Sequence, residues 1–361
     1  MKWIVGWGAV PYCNMSCEFC YSKYVREEGD MLNLQQWQNF VSSNCDHIES
    51  INYGTGESTM CNDWYDLVYF ISTSFPQITQ ALTTNGYISS YIKENPNSKH
   101  KFFSSIHEVD VSLDFYQRDK HNAFRGQRNA FEWAINTLEL CKNHNIVATL
   151  VFVGTNETLE IENLEGLFRI AAMYNAKIRL NIFRPINGIN SHSQKYVADF
   201  HVIMHALEWI NDNHKVLSID DSLFSALLID DSANFGSVKF NNSLRILHDG
   251  SITPSTYLVS KEFRKLSILE SSVLSKIESS DLLIPEVVPA ECAGCIYEQK
   301  CKGGVYDRRY LWNGTFNSRD SYCPFIDARR EIPKFSIKLS KIPFSSVHHG
   351  YLPTMFFEPQ T

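Results

Sequence analysis

The 361-residue sequence contains no run of about 18 apolar residues, so nothing in it reads as a transmembrane helix. It has no block of basic residues. Its 33 lysines and arginines are outnumbered by 40 aspartates and glutamates, a net charge of -7, which makes a nucleic-acid backbone a poor partner. The N-terminus lacks the charged, apolar and small-residue regions of a signal peptide, leaving the cytoplasm as the expected compartment. Internal repeats and low-complexity segments are missing too. Ten cysteines are too few for a disulfide-stapled secreted scaffold, and a chain of this length has no need of staples.

The cysteines that are present are unevenly placed. Seven of the ten fall in two clusters, at 13–20 and 292–323. Clustered cysteines in a cytosolic chain usually bind metal.

Up to about residue 213, short apolar runs alternate with helical patterns. Strands are expected at 2–10, 47–53, 80–84, 108–113, 146–153 and 177–183, each rich in β-branched and aromatic residues. Helices are expected at 34–41, 65–72, 130–144, 164–174 and 196–211. The stretch 130–144 has the clearest helical period, with Phe131, Ile135, Leu138 and Cys141 near one face. Strands separated by helices imply parallel βαβ units, and six of them suggest a partial (β/α)6 barrel with ligands at the C-terminal strand ends. Beyond 213 the pattern changes to hairpins around Asp249-Gly250 and around Asn313-Gly314, plus cysteines, as in a small metal-stapled module. The expected division is therefore 1–213, 214–330 and a tail at 331–361. In that tail 335–341 alternates as a docking strand would, and His348-His349 reads as solvated.

The first cluster reads Cys13-Asn-Met-Ser-Cys17-Glu-Phe-Cys20 and follows the first strand. Three thiolates on one short loop can bind three irons of a cubane and leave the fourth open to an outside ligand. A zinc site is the alternative. Tyr53-Gly-Thr-Gly-Glu57 ends the second strand, where glycines would let backbone approach a ligand and a carboxylate could take an ammonium group. No Gly-Lys-Ser/Thr or third glycine follows, so a P-loop or dinucleotide motif is excluded.

The cysteine spacing, with an aromatic residue just before the third cysteine, resembles the radical S-adenosylmethionine (SAM) superfamily. Further motifs follow in the expected order over most of the chain: Thr84-Asn85-Gly86, Ser112-Leu113-Asp114, His121-Asn-Ala-Phe-Arg125-Gly126 and Arg184-Pro-Ile-Asn-Gly188. Thr55 stands where that family has a second glycine, and Asn122 where it has an aspartate. The resemblance implies a [4Fe-4S] cluster on Cys13, Cys17 and Cys20. It implies SAM bound by Phe19, Tyr21, Gly54, Thr55, Gly56, Glu57, Thr84, Asn85, Ser112 and Arg184. It also implies reductive cleavage of SAM to a 5′-deoxyadenosyl radical that takes hydrogen from a substrate C–H bond. Cys61, Asp114 and Arg125 are the candidates for catalytic roles, Cys61 as a hydrogen-atom donor and Arg125 as a ligand for SAM or substrate. Trp3, Trp7 and Tyr12 are expected to wall the pocket.

The second cluster, Cys292-x2-Cys295-x5-Cys301-Lys-Gly-Gly-Val305 and then Cys323-Pro324, resembles the SPASM or twitch extension of these enzymes. Four cysteines imply one closed auxiliary [4Fe-4S] cluster, with tetrahedral zinc as the alternative. Val305 and the Thr253-Pro-Ser255 segment stand where a second auxiliary cluster would find ligands, and no cysteine lies between 142 and 291. The implied partners are a reductase such as flavodoxin or ferredoxin and a substrate. Maturation of a ribosomally made peptide is the expected role, and dehydrogenation or epimerisation of a small molecule the alternative. The first strand begins so early that no leader-binding domain is expected ahead of it.

Overall fold

The structure, a computed structural model, describes residues 2–360 except 24, 28, 187, 189, 191, 230–241, 278–286, 328, 342–343 and 349–351. His349 therefore lies outside the described residues. The first half alternates strands and helices: β1 (Trp3–Trp7), α1 (Leu34–Asn44), β2 (Ile48–Tyr53), α2 (Asn62–Ser74), β3 (Thr79–Thr84), α3 (Ile88–Glu94), α4 (Pro96–Phe103), β4 (Glu108–Ser112), α5 (Arg118–Arg125), α6 (Ala130–Asn143), β5 (Val147–Gly154), α7 (Ile161–Met173) and β6 (Lys177–Ile182). Local chemistry starts and faces these elements. Asn33 and Gln36 form a reciprocal capping box at α1. Ala130, Ala134, Leu138 and Cys141 form the buried stripe of α6, while Phe131 and Ile135 are only partly buried.

The chain continues through α8 (Phe200–Asn213), β7 (Lys215–Ile219), α9 (Ser222–Leu228), β8 (Ser243–Ile246), β9 (Ser251–Thr253), β10 (Leu266–Ser267), α10 (Val273–Lys276), α11 (Glu298–Cys301), α12 (Tyr306–Asn313) and β11 (Met355–Glu358). One sheet runs in the order β10-β9-β8-β1-β2-β3-β4-β5-β6-β11-β7. From β1 to β6 every pairing is parallel. β8 joins β1 in parallel, and β8 and β9 form the hairpin expected at Asp249-Gly250. The sheet therefore crosses both expected boundaries, at 213 and at 330.

Three expectations about the C-terminal half need correction. Residues 306–313 are a helix, not one arm of a hairpin. Gly314 takes a left-handed φ of 68° and its N–H bonds Tyr310 O, so Asn-Gly here ends a helix, a role glycine fills as readily as a turn. The expected separate tail at 331–361 is built into the sheet, because β11 sits antiparallel between β6 and β7. The 335–341 stretch contributes only isolated bridges, Ile337 to Ile229 and Leu339 to Val216. The true strand, Met-Phe-Phe-Glu, is covered on both faces and so shows no alternation. His348 is fully buried rather than solvated.

Candidate active site

One cavity of about 180 Å³ opens inside the curl of the sheet, far more than a single ordered water needs. Asn52 of β2, Ser112 of β4, Arg179 of β6 and Arg245 of β8 all line it, so strands far apart in the sheet order face one space. This makes the sheet an open barrel.

The loop after β1 forms one wall. Cys13, Cys17 and Cys20 all line the cavity, with Phe19 and Tyr21 between and beyond them. Phe19 stacks on Phe124 at 4.3 Å, and the Arg125 guanidinium lies 5.1 Å from its centroid. The aromatic residue before the third cysteine thus ties the loop to α5. Cys17 Sγ donates to Arg125 O at 3.5 Å, and Asn85 Nδ2 reaches Asn14 Oδ1 at 2.8 Å and Cys13 Sγ at 3.6 Å. Burial pushes the Cys13 thiol up to about 11 and raises Cys17 as well, so a nearby cation is what would hold them as thiolates. Among the described residues, no three or more His, Cys, Asp and Glu converge as ligands of one metal ion would. A cubane does not require that convergence, since each of its irons takes its own thiolate. Three thiols spread along one cavity wall fit such a cluster.

The loop after β2 packs beneath the cysteine loop. Gly56 has a φ of 65°, and a Cβ there would lie 2.5 Å from Tyr12 O and 2.6 Å from Val10 O. Thr55, in the expected glycine position, keeps a φ of 96°, a conformation that strains a β-branched residue. Its hydroxyl meets Tyr21 Oη at 3.4 Å. Gly54, Thr55 and Gly56 line the cavity, as do Thr84, Asn85 and Ser112 from the next two strand ends.

Glu57 does not. It is fully buried and its carboxylate accepts from Thr59 Oγ1 at 2.6 Å, Thr84 Oγ1 at 2.9 Å and Asn85 N at 2.8 Å. Burial still pushes its pKa up against those donors. Glu57 therefore holds Asn85, which in turn holds the cysteine loop. Cys61 is also placed away from the cavity: it is packed in the main core at the start of α2. Trp3 and Trp7 belong to that core, and Tyr12 is 41% exposed, so none of the three walls the pocket.

Asp114 stands behind the wall rather than on it. Arg125 Nε donates to Asp114 Oδ2 at 2.6 Å, and Val153 N donates to Oδ1 at 3.0 Å. Burial opposes the Arg125 charge, but Asp114 outweighs it and raises the pKa. The same pattern recurs twice. Arg184 Nε donates to Asp307 Oδ1 of α12 at 3.0 Å, with its guanidinium 4.5 Å from the Tyr257 centroid. Arg179 Nη2 stands 2.8 Å from Asp110 Oδ2. Each arginine faces the cavity while its aspartate backs it. Arg26 and Arg245 line it too, and none of the lining residues is Asp or Glu.

The second cysteine set lies elsewhere. None of Cys292, Cys295, Cys301 and Cys323 lines the cavity. Cys292 and Cys301 are buried, the other two half-buried. Burial pushes Cys301 up to about 12 and raises Cys292 and Cys323. The segment is tied to the barrel by Arg308, which is fully buried between Asp221, the N-cap of α9, and Asp320. Near the position expected for a further auxiliary ligand, Ser255 Oγ donates to Asp307 Oδ2 at 3.0 Å, supporting Arg184.

Residues missed from the sequence include Arg179, Asn181, Arg245, Tyr257 and Leu352. A signal for two of them was present. In Lys177-Ile-Arg-Leu-Asn-Ile182 polar residues alternate on a strand with both faces covered, which marks an inner, ligand-facing side.

Comparison with known proteins agrees with this architecture. A family model described as the radical SAM superfamily matches residues 9–167, from the cysteine loop into α7, so the first part of the chain is similar to that superfamily. That family implies SAM and a [4Fe-4S] cluster as cofactors. The sporulation killing factor maturation protein SkfB of Bacillus subtilis (strain 168) is 24% identical over 148 residues, 40% of this chain and 34% of that protein, so the match spans about a third of the relative's length. The structure of Streptococcus suis SuiB bound to precursor peptide SuiA superimposes with a TM-score of 0.68 at 16% identity, over 88% of this chain and 75% of that one. Native anSMEcpe with bound AdoMet and Cp18Cys peptide gives 0.67 at 17% identity, over 88% and 93%. These two likenesses establish the shared barrel and C-terminal extension. No helix among the described residues is long and apolar enough to cross a membrane.

Proposed function

We propose that this chain matures a ribosomally made peptide by abstracting hydrogen from one of its C–H bonds, leading to cross-linking, epimerisation or oxidation. The observation that carries this is that Cys13, Cys17, Cys20 and the C-terminal ends of successive barrel strands all open onto the same cavity. The peptide substrate is supported by SkfB, named for maturing a killing factor, and by the peptides bound in the SuiB and anSMEcpe structures.

In this proposal Cys13, Cys17 and Cys20 would hold the [4Fe-4S] cluster, one thiolate to each of three irons. The cluster and SAM together supply a carbon-centred radical able to attack an unactivated C–H bond. Arg125, fixed by Asp114, receives the SAM carboxylate. Phe19, Tyr21, Gly54, Thr55, Gly56, Thr84, Asn85, Ser112 and Arg184 surround SAM, while Glu57 acts from behind by holding Asn85. The barrel walls keep water from the reacting atoms, and placing both reactants in one cavity supplies the proximity the reaction needs. Cys61 is not given a catalytic role, because it lies in the core. Residues 1–213 would hold the cluster that starts the radical chemistry, and 214–330 would hold one closed auxiliary cluster on Cys292, Cys295, Cys301 and Cys323. The cytoplasm supplies the electron, from a flavodoxin- or ferredoxin-type reductase.

Anaerobically reconstituted protein is expected to be brown, to contain about eight irons, two [4Fe-4S] clusters, and to release 5′-deoxyadenosine when reduced with SAM. A short reading frame encoding the substrate peptide is expected beside the gene, and co-expression with it should change that peptide's mass. Colourless protein holding zinc alone would overturn the radical chemistry. An active enzyme that leaves every neighbouring peptide unchanged would overturn the peptide substrate.

A further inference from the structure

Arg179 is 2% exposed and lines the cavity, yet only one edge of its guanidinium is engaged. Nη2 faces Asp110, while Nε and Nη1 are buried with no hydrogen-bond partner. Buried donors of a charged group are costly to leave unmatched, and such exceptions in a folded protein call for an explanation. Two residues along β6, on the same inner face, Asn181 also lines the cavity, and its Oδ1 is likewise buried without a partner.

The guanidinium is held stiffly. Asp110 Oδ2 is also 2.9 Å from Nδ1 of His348, whose Nε2 meets Thr83 Oγ1 at 3.3 Å. The Phe356 ring of β11 lies 6.0 Å from the Arg179 guanidinium. The returning C-terminal segment therefore braces this arginine, and it also supplies Leu352 to the cavity lining. Arg179 belongs to the body of β6, paired with Val151 and Phe356, whereas Arg125 lies against the cysteine loop. Arg179 thus serves a deeper part of the cavity than the part beside the thiols.

We propose that Arg179, with Asn181 beside it, binds a carboxylate of the substrate inside the barrel. A preorganised guanidinium with free donors and no acidic residue on the cavity lining favours a carboxylate over a neutral amide. Asn181 can turn its amide nitrogen toward the same anion. This rests on the cavity being the place of reaction proposed above.

The test uses reconstituted, SAM-loaded protein and three probes: acetyl-Ala-Glu-Ala-amide, acetyl-Ala-Gln-Ala-amide and acetyl-Ala-Ala-Ala with a free C-terminus. Calorimetric titration should show one of the two carboxylate peptides binding about tenfold more tightly than the Gln peptide. Which of them binds identifies a side-chain or a chain-end carboxylate. Arg179→Met should abolish the preference and leave SAM affinity within about twofold, and Asn181→Leu should reduce it by about threefold. Asn181→Leu decides the matter if Arg179→Met does not fold. Equal binding of all three probes, or no binding of any, would overturn the proposal. So would a large loss of SAM affinity in Arg179→Met, because the arginine would then serve SAM. Formation of 5′-deoxyadenosine without any peptide is followed in parallel. Its absence defeats the proposed radical chemistry, whereas intact cleavage without carboxylate preference defeats only the role of Arg179.

Discussion

The two cysteine sets differ less in composition than in what surrounds them. Cys13, Cys17 and Cys20 sit on a cavity wall, on a loop held by Gly56, Asn85 and the Phe19–Phe124 stack. Cys292, Cys295, Cys301 and Cys323 face no part of that cavity and are joined to the barrel through the Asp221–Arg308–Asp320 bridge. A three-thiol set beside a ligand space suits chemistry with an open coordination position. A four-thiol set away from it suits a closed site that moves electrons or stabilises its own segment.

The largest effect should come from removing each set in turn. Cys13→Ala, Cys17→Ala and Cys20→Ala together should eliminate 5′-deoxyadenosine formation and halve the iron from about eight to about four. Replacing the four C-terminal cysteines should lower iron equally and leave SAM cleavage detectable by chromatography. Equal loss of cleavage in both variants would erase the distinction.

Arg308→Met attacks the bridge alone. It leaves Asp221 and Asp320 buried without their cation, which should cost about 3–5 kcal/mol in urea unfolding. Iron should leave the C-terminal set first, as followed by absorbance during mild heating.

Gly56→Ala attacks the other set alone. Its Cβ must displace the backbone at Tyr12 and Val10, shifting the cysteine loop. SAM cleavage should fall by roughly 100-fold, as for other small misplacements of reacting groups. The melting temperature should change less than in Arg308→Met.

A pH dependence is confined to the first region and is absent at neutral pH. Burial lowers His121 to about 3, and its Nδ1 accepts from Asp114 N at 3.1 Å, consistent with a neutral ring. In the unfolded chain the value is about 6.5. As pH falls, the unfolded state takes the proton first. Stability from this group is thus complete above about pH 6.5 and declines toward pH 3, at up to ~1.4 kcal/mol per pH unit. His121→Gln should flatten the acid limb of a plot of melting temperature against pH. An unchanged slope would mean that other groups govern it.

Much of the first region was legible in the sequence. All six parallel strands formed where β-branched runs were expected, because strands covered on both faces need dense apolar sequence. Most of the motifs end a strand, where such a barrel collects its ligands, while the motif at 121–125 lies on α5. Glu57 and Asp114 carried the right chemistry for a ligand, but spacing cannot say whether a carboxylate faces a cavity or supports the residue that does. Arg245 was hidden because it lies within a strand, where a polar residue on the inner face looks like surface, whereas Arg179 and Asn181 show their inner face only through the alternation of 177–182. Tyr306–Asn313 and His348 went astray for a different reason. Asn-Gly serves two kinds of chain reversal, and only tertiary contacts bury a histidine that local sequence would leave in water.

The seam at β11 has a consequence for how the protein is made. β6 and β7 leave the ribosome well before Met355–Glu358, yet they meet only through that strand. Synthesis runs from the N-terminus, and contacts across long sequence separations form late. Throughout most of translation the nascent chain therefore has an unzipped side, and the brace behind Arg179 does not yet exist.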